Sequence, residues 1–146
     1  MPVDETDRKI VAVLDRDASL SIKEIARRLG MNESTIRKRV ALLKKKKVIK
    51  YYVEIDSLQI GMKTEASLGV DVEASKILEA GKRFTEISGV RLVFHCSGEH
   101  DFRLIVWTPD RDGLSRIVDR VSAVDGVEKV LPSVIVERIW GKDSKW

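Results

Sequence analysis

Hydroxyl and cationic side chains come together at helical spacing in one basic segment of the N-terminal half. Ser34, Arg37 and Lys38 lie near the start of a predicted helix, where such groups can donate hydrogen bonds to the edges of DNA bases. Thr35 and Arg39 flank them and suit phosphate oxygens, which position a protein on a duplex without reading its sequence. The predicted DNA contacts are therefore Ser34, Thr35, Arg37, Lys38, Arg39 and Lys44.

A second group of chemically capable side chains lies in the C-terminal half and comprises His95, Cys96, His100 and Asp101. Metal binding or Cys-His catalysis is one interpretation of this group. However, strand alternation predicts Cys96 on the same buried face as Leu92 and Phe94, with His95 on the opposite face. With a single cysteine, an intrachain disulfide and a zinc site built from cysteines are both excluded. We therefore predict no catalytic residue, no metal site and no cofactor.

The basic segment needs a helical scaffold, and the sequence predicts one. Asp4 caps a first helix that should end near Asp17. Ser21-Ile22-Lys23-Glu24 is a capping box that opens a second helix, and Gly30 suits its left-handed end. Asn32 then caps a third helix. A short helix, a tight glycine turn and a basic amphipathic helix are typical of a helix-turn-helix, although a plain helical hairpin is the alternative. Three apolar residues of the third helix are predicted to face inward: Ile36, Val40 and Leu43.

The distribution of charge supports a nucleic-acid partner. The chain has a net charge of +4, but residues 21–50 alone contain eleven Lys and Arg against two Glu. Such a cluster favours DNA through counterion release and electrostatic steering. A solvated basic surface is the alternative that charge by itself leaves open.

The rest of the chain alternates between strand and helix patterns. Residues 48–55 are rich in β-forming side chains and are predicted to form a wing strand. From about residue 65 the pattern is βαββαβ, the ferredoxin-like order, in which Gly98-Glu99 suggests a two-residue type II′ hairpin. The fold class is thus α+β. We expect a winged helix-turn-helix over 1–55, a linker over 56–64 and a ferredoxin-like domain over 65–146.

No membrane association is expected from the sequence. No apolar run approaches the roughly 18 residues that a membrane span needs. The first residues lack the apolar core of a secretory signal. We therefore expect a cytoplasmic protein.

In this order and spacing, the motifs of both halves resemble the Lrp/AsnC, or feast/famine, family of transcription regulators. The resemblance covers nearly the whole chain and is carried by residues 3–10 (VDETDRKI), 25–30 (IARRLG), 32–40 (NESTIRKRV), 48–52 (VIKYY), 97–102 (SGEHDF) and 134–136 (VIV). One departure concerns Lys47, which stands where family members usually have glycine. Because lysine adopts the left-handed conformation only at a cost, the form of this helix end stays open.

The resemblance implies assembly and ligand binding. The C-terminal domains of the family pair through their sheets into dimers, which often associate into octamers. An amino acid or related metabolite binds between dimers near the hairpin turn and changes assembly or DNA affinity. Carried over to this sequence, the effector site comprises Gly98, Glu99, His100, Asp101 and Ser133. Asp101 is the expected partner of an α-ammonium group, and exposed backbone amides suit its carboxylate.

Two functions therefore stay open at this point. One is an effector-responsive transcription regulator that recognises particular operators. The other is a nonspecific, architectural protein that wraps or bridges DNA. An RNA-binding sheet is disfavoured because the stacking aromatic residues of such sheets are missing. An enzyme with a regulatory domain is disfavoured because no room remains for a catalytic domain. The tail residues Trp140 and Trp146 suggest either an oligomer contact or packing on their own domain.

Overall fold

The computed structural model describes residues 3–137, and the elements within them follow the predicted order. Three helices come first: α1 (Glu5–Arg16), α2 (Ile22–Leu29) and α3 (Glu33–Lys45). Four strands and two helices follow: β1 (Thr64–Val72), α4 (Ile77–Glu86), β2 (Val90–His95), β3 (Phe102–Thr108), α5 (Arg111–Ser122) and β4 (Val127–Val134). Two single 3-10 turns precede β1 and α4, at Leu58–Ile60 and Ala74–Lys76. The helix-turn-helix and the βαββαβ order are confirmed. Trp140 and Trp146 lie outside the described residues.

The chain divides into two compact units between Glu54 and Ile55. The helical unit has a small apolar core consisting of Ile10, Leu14, Ile25, Ala26, Ile36, Val40 and Leu43. The sheet unit has a larger core, to which the strands contribute Ala66, Leu68, Val70, Val72, Phe102, Leu104 and Val106, and the helices Ala80, Phe84, Leu114, Ile117 and Val121. Within residues 3–137, no helix has the length and apolarity needed to cross a membrane.

The sheet is antiparallel, in the order β2-β3-β1-β4. Alternate residues of the two central strands, β1 and β3, are buried against α4 and α5. β2 and β4 form the two edges. Pro132, in the edge strand β4, lies opposite Leu68 of β1. The apolar residues of α4 and α5 therefore cover one face of the sheet and define a second face, here called the free sheet face.

A bulge in β2 reverses the predicted orientation of that strand. Val90 pairs with Val106, but Leu92 pairs with Ile105, so that Arg91 is an extra residue in the ladder. Because side chains alternate across a strand, one extra residue exchanges the two faces beyond it. Val93 accordingly packs on the core. The prediction of a buried Leu92, Phe94 and Cys96 is wrong: the first two are each 50% exposed, and the cysteine is also exposed.

The predicted wing strand is also absent. Residues 48–55 carry no strand in the described chain, and Tyr52 and Val53 are 79% and 84% exposed. β-forming side chains favour an extended backbone, but a strand also needs a ladder partner, and no described segment pairs with this one. β4 ends at Val134, so that Val136, the last residue of the family-like segment 134–136, lies beyond the strand and is 96% exposed.

Candidate functional sites

Local sequence signals determine where α2 begins and ends and where α3 begins. The Ser21 hydroxyl accepts the Glu24 N–H at 3.2 Å, while the Glu24 carboxylate accepts the Ser21 N–H at 2.8 Å. Gly30 ends α2 with φ 63°, and the Asn32 side chain accepts the Ser34 N–H at 2.8 Å to begin α3. These caps satisfy N–H groups that a helix terminus leaves without intrahelical partners. α3 thus begins at a defined residue.

α3 presents a polar face opposite its buried one. Ile36, Val40 and Leu43 are buried, as predicted. At 100° per residue, the opposite side of the helix carries the exposed residues Ser34, Lys38, Ala41 and Lys45, and the exposed Arg37 lies at the edge of this polar face. The structure thus brings together the three residues predicted to contact bases. Sequence reasoning missed Ala41, although its position three residues after Lys38 already assigned it to this face; a side chain this small lets a helix approach a groove closely.

Arg39, predicted as a phosphate contact, is paired with two carboxylates of α1 and its cap. Its Nη1 donates to Asp4 Oδ2 at 2.6 Å and to Asp7 Oδ1 at 2.9 Å. The side chain is 30% exposed, and Asp7 is only 9% exposed. No local sequence signal marks this pairing, because the partners lie 35 and 32 positions apart. Arg39 therefore joins α3 to the first turn of α1.

The other flanking residues are placed differently. Thr35 is half-buried on the same side of α3 as Arg39. Lys44 is exposed, and its Nζ lies 4.4 Å from the centroid of the Tyr51 ring, a cation–π arrangement. This contact holds the lysine beside the extended segment while leaving its charge at the surface.

The lysine run ends α3 in a regular manner. Lys47 has φ 58°, the left-handed conformation usually reserved for glycine. Its N–H bonds to the Lys44 carbonyl at 2.9 Å, and the Val48 N–H bonds to the Leu43 carbonyl at 2.9 Å. These two bonds make a Schellman motif. Lysine therefore adopts the conformation that the family usually assigns to glycine.

The loop between β2 and β3 is longer than predicted. The last ladder pair is His95 with Phe102, and the Cys96 N–H bonds to the Asp101 carbonyl at 2.8 Å. Residues 97–100 therefore form the turn, and the prediction of a two-residue type II′ hairpin is wrong. Gly98 has φ 145°, which favours glycine.

The residues in and beside this turn differ in exposure. Gly98 and Glu99 are exposed. Asp101 is half-buried, and its Oδ2 accepts the Val72 N–H at 2.9 Å, at the bulge that ends the pairing of β1 with β4. Asp101 thus holds the loop against β1, which leaves Glu99 as the exposed carboxylate of the turn.

His100 folds back across the free sheet face. Its Nδ1 lies 2.8 Å from Asp71 Oδ1, and its side chain is only 10% exposed. The imidazole covers Gly69 so closely that a Cβ added there would overlap the ring. Ser133, the remaining predicted effector residue, is exposed in β4 and pairs in register with Ser67 of β1. The structure therefore has both His100 and Ser133 on this face, one strand apart.

His95 and Cys96, the other two residues of the second group, belong to no metal-binding cluster in the described chain. The His95 ring lies 5.1 Å from that of Phe102, centroid to centroid. Cys96 is exposed, and its thiol is 3.8 Å from the Phe94 carbonyl oxygen. No group of three metal-binding side chains occurs among residues 3–137.

The free sheet face is partly apolar. Leu92 and Phe94 of β2 are each 50% exposed, and Leu131 of β4 is 40% exposed. Ile105 of the central strand β3 lies between them, since it pairs with Leu92 on one side and with Ser67 on the other. Arg103 and Ser67, joined by a hydrogen bond at 3.0 Å, lie between these residues and Leu131. Exposed apolar side chains of this kind often mark an interaction site.

Comparison with known proteins gives matches over both units. A family model described as an AsnC-type helix-turn-helix domain matches residues 3–44, and one described as an Lrp/AsnC ligand binding domain matches residues 65–144. HTH-type transcriptional regulator LrpA of Pyrococcus horikoshii is 33% identical over 139 residues, which cover 94% of this chain and 99% of that protein. LrpA1 of Halobacterium salinarum is 31% identical over 141 residues, covering 95% and 99% respectively.

Solved structures share the fold at lower identity. A feast or famine regulatory protein from M. tuberculosis, complexed with L-methionine, has a TM-score of 0.87 at 22% identity and covers 99% of both chains. E. coli AsnC has a TM-score of 0.80 at 18% identity and covers 97% of both chains.

Proposed function

Because the chain belongs to the Lrp/AsnC family of transcription regulators, which are not enzymes, we propose that it binds specific double-stranded DNA through α3. The observation that carries this proposal is the exposed polar face of α3, which lies opposite the buried one. A helix that packs by one side and offers hydrogen-bond donors on the other has the form needed to enter a major groove. Since its target is DNA, we assign the protein to the cytoplasm.

The exposed residues of α3 divide by role. Ser34, Arg37 and Lys38 are proposed to contact base edges, Arg37 by two hydrogen bonds to guanine. Thr35 and Lys44 are proposed to contact the phosphate backbone, where Lys45 adds to the attraction. The excess of basic residues over 21–50 supports this division, because neutralised phosphates release bound counterions.

Arg37→Ala tests the proposal. It should weaken binding to an operator by roughly 1–3 kcal/mol while changing binding to random DNA much less. Arg111→Ala is the matched control, because Arg111 is also an exposed arginine but lies in α5 of the other unit. Fluorescence anisotropy on the chain's own promoter region and on random duplex measures both affinities. Equal losses of affinity for the operator and for random duplex would indicate that Arg37 contacts phosphate and not a base edge.

A nonspecific architectural function is the second candidate, and the lysine run 44–47 favours it. These residues add charge but no arrangement that distinguishes one base from another. A salt-titrated competition between the promoter fragment and random DNA separates the two functions. A regulator should prefer the promoter by several orders of magnitude, whereas an architectural protein should bind both about equally.

We propose that the protein assembles through the free sheet face. The exposed Leu92, Phe94 and Leu131 would be buried if two such faces met, and the hydrophobic effect would then favour a dimer. Leu92→Asp should shift sedimentation toward the monomer without loss of secondary structure. Leu78→Asp is the control, because Leu78 is 83% exposed on α4. An unchanged dimer in Leu92→Asp would exclude this interface. Association of such dimers into octamers would appear as a further species in the same experiment.

An amino acid is the proposed effector, bound beside the β2–β3 loop. Support comes from the match to the ligand binding domain and from the structural relative complexed with L-methionine. Exposed amides around Gly98 suit a carboxylate, Glu99 suits an α-ammonium group, and Asp101 holds the loop in place. His100 and Ser133 complete the proposed site from the free sheet face.

Titration calorimetry with methionine and the other common amino acids tests the effector site. Glu99→Gln should weaken any binding observed, and Glu128→Gln is a control at an exposed glutamate of β4. If an assembled sample that binds DNA gives no heat with any amino acid, the proposal of an amino-acid effector is wrong.

A further inference from the structure

Arg39 sits where it could act on DNA only indirectly. On a helix, Arg39 and Arg37 are two residues apart and therefore project about 160° from each other. Arg37 is exposed at the edge of the polar face, whereas Arg39 is directed to the first turn of α1. The side chain of Arg39 is therefore held on the side of α3 that faces away from Arg37.

Arg39 contacts α1 through the carboxylate oxygens of Asp4 and Asp7 that do not take part in the capping box of that helix. Asp4 caps α1 through its Oδ1, which accepts the Asp7 N–H at 2.8 Å. In return, Asp7 Oδ2 accepts the Asp4 N–H at 3.3 Å. The remaining oxygens, Asp4 Oδ2 and Asp7 Oδ1, both accept from Arg39 Nη1, at 2.6 Å and 2.9 Å. Each of these two carboxylates thus both caps α1 and connects α1 to α3.

We propose that Asp4, Asp7 and Arg39 form a clamp that sets the rotation of α3 against α1, and that Arg39 is a positioning residue for DNA recognition rather than a DNA contact. Ile36 and Val40 pack α3 into the core, but apolar contacts tolerate rotation more readily than two directed, charge-assisted bonds do. The clamp therefore fixes which side chains face the groove. This inference rests on the proposed function of α3.

Charge keeps the clamp together once it is formed. The hydrogen bond from Arg39 holds the pKa of Asp4 below its ordinary value, and the bonds to Asp4 and Asp7 raise the pKa of Arg39. Both partners therefore stay ionised around neutral pH. Removal of Arg39 would leave two carboxylates, three residues apart, with no cation between them.

Arg39→Gln and Asp7→Asn test the clamp by their effect on DNA binding. Arg39→Gln should weaken operator affinity about tenfold but leave the salt dependence unchanged, because no phosphate contact is lost. Lys45→Gln is the matched control on α3. Because Lys45 is proposed to add to the attraction for the phosphate backbone, its loss should reduce the slope of log affinity against log salt by up to about one. Asp7→Asn should also weaken binding, although it removes a negative charge that repels DNA. Its control, Glu5→Gln, removes an exposed carboxylate of α1 and should leave affinity equal or higher.

Hydrogen exchange of the α3 amides gives a readout that needs no DNA. It should quicken in Arg39→Gln and Asp7→Asn and stay unchanged in Lys45→Gln and Glu5→Gln, at a temperature where all variants are folded. A reduced salt slope in Arg39→Gln, tighter binding in Asp7→Asn, or unchanged exchange in both would overturn the clamp. If the unmutated protein retards no duplex at low salt, the proposed function fails instead, and hydrogen exchange still decides the clamp.

Discussion

Lys47 occupies a backbone conformation that suits glycine, so Lys47→Gly is expected to stabilise the helical unit. The residue has φ 58° at the end of α3. Its N–H and that of Val48 make the two bonds of the Schellman motif, both at 2.9 Å. Because these are backbone bonds, glycine would keep them while removing the crowded Cβ.

Two opposing effects set the magnitude. The left-handed conformation costs a residue with a Cβ roughly 1–2 kcal/mol. Glycine loses more chain freedom on folding, which offsets about 0.5–1 kcal/mol of that gain. The expected net stabilisation of the helical unit is therefore about 0.5–1 kcal/mol.

Hydrogen exchange at buried α3 positions such as Ile36 and Val40 measures this change within the helical unit alone. The expected stabilisation corresponds to roughly two- to fivefold slower exchange if those amides exchange through opening of the unit. Lys46→Gly is the matched control: it removes the same charge one residue earlier, where φ is −79°, and glycine should there destabilise by about 0.5–1 kcal/mol. If both variants speed exchange alike, strain at Lys47 does not exist and the reasoning is refuted.

Three further predictions concern contacts described above. Gly69→Ala should destabilise the sheet unit by about 1–3 kcal/mol, measured by thermal unfolding, because the new methyl group overlaps the His100 ring; His100→Ala in the same chain should relieve much of this loss. Hydrogen bonds from Ser21 lower the pKa of Glu24, so its stabilising contribution is present above the ordinary value of 4.5 and is lost as pH falls through the lowered folded-state value. Glu24→Gln keeps a side-chain cap, but the urea midpoint of unfolding should fall less steeply with decreasing pH than in the unmutated protein. The same pH dependence in both proteins would contradict this. Asp110→Ala should lose about 1 kcal/mol of thermal stability, because its side chain accepts the Gly113 N–H at 2.7 Å and caps α5; no change in melting would show that the cap contributes little.

Features that depend on nearby residues were predictable from the sequence. The caps at Ser21, Gly30 and Asn32 lie within a few residues of the helix ends that they define, and the structure has helix ends at those positions. The buried face of α3 followed from the period of the helix in the same way. The domain order and the family therefore followed from patterns that are short in sequence.

Features that depend on distant partners were not predictable. The bulge at Arg91 inserts one residue into the ladder with β3, and no local signal marks it, so the faces of β2 were exchanged in the prediction. Arg39 looked like any other cation of α3, because its carboxylate partners lie more than thirty positions away. Residues 48–55 have the composition of a strand but lack a partner in the described chain. In each case the missing information was which backbone or side chain would be a neighbour in space.

The two edges of the sheet have a consequence for solubility. An open edge offers unpaired N–H and C=O groups to any passing chain and can seed fibrillar aggregation. Here the bulge at Arg91 disrupts the regular spacing along β2, and Pro132 removes one donor from β4. Both edges of this sheet are therefore poor templates for an added strand, which lowers the tendency of copies to pair edge to edge into filaments.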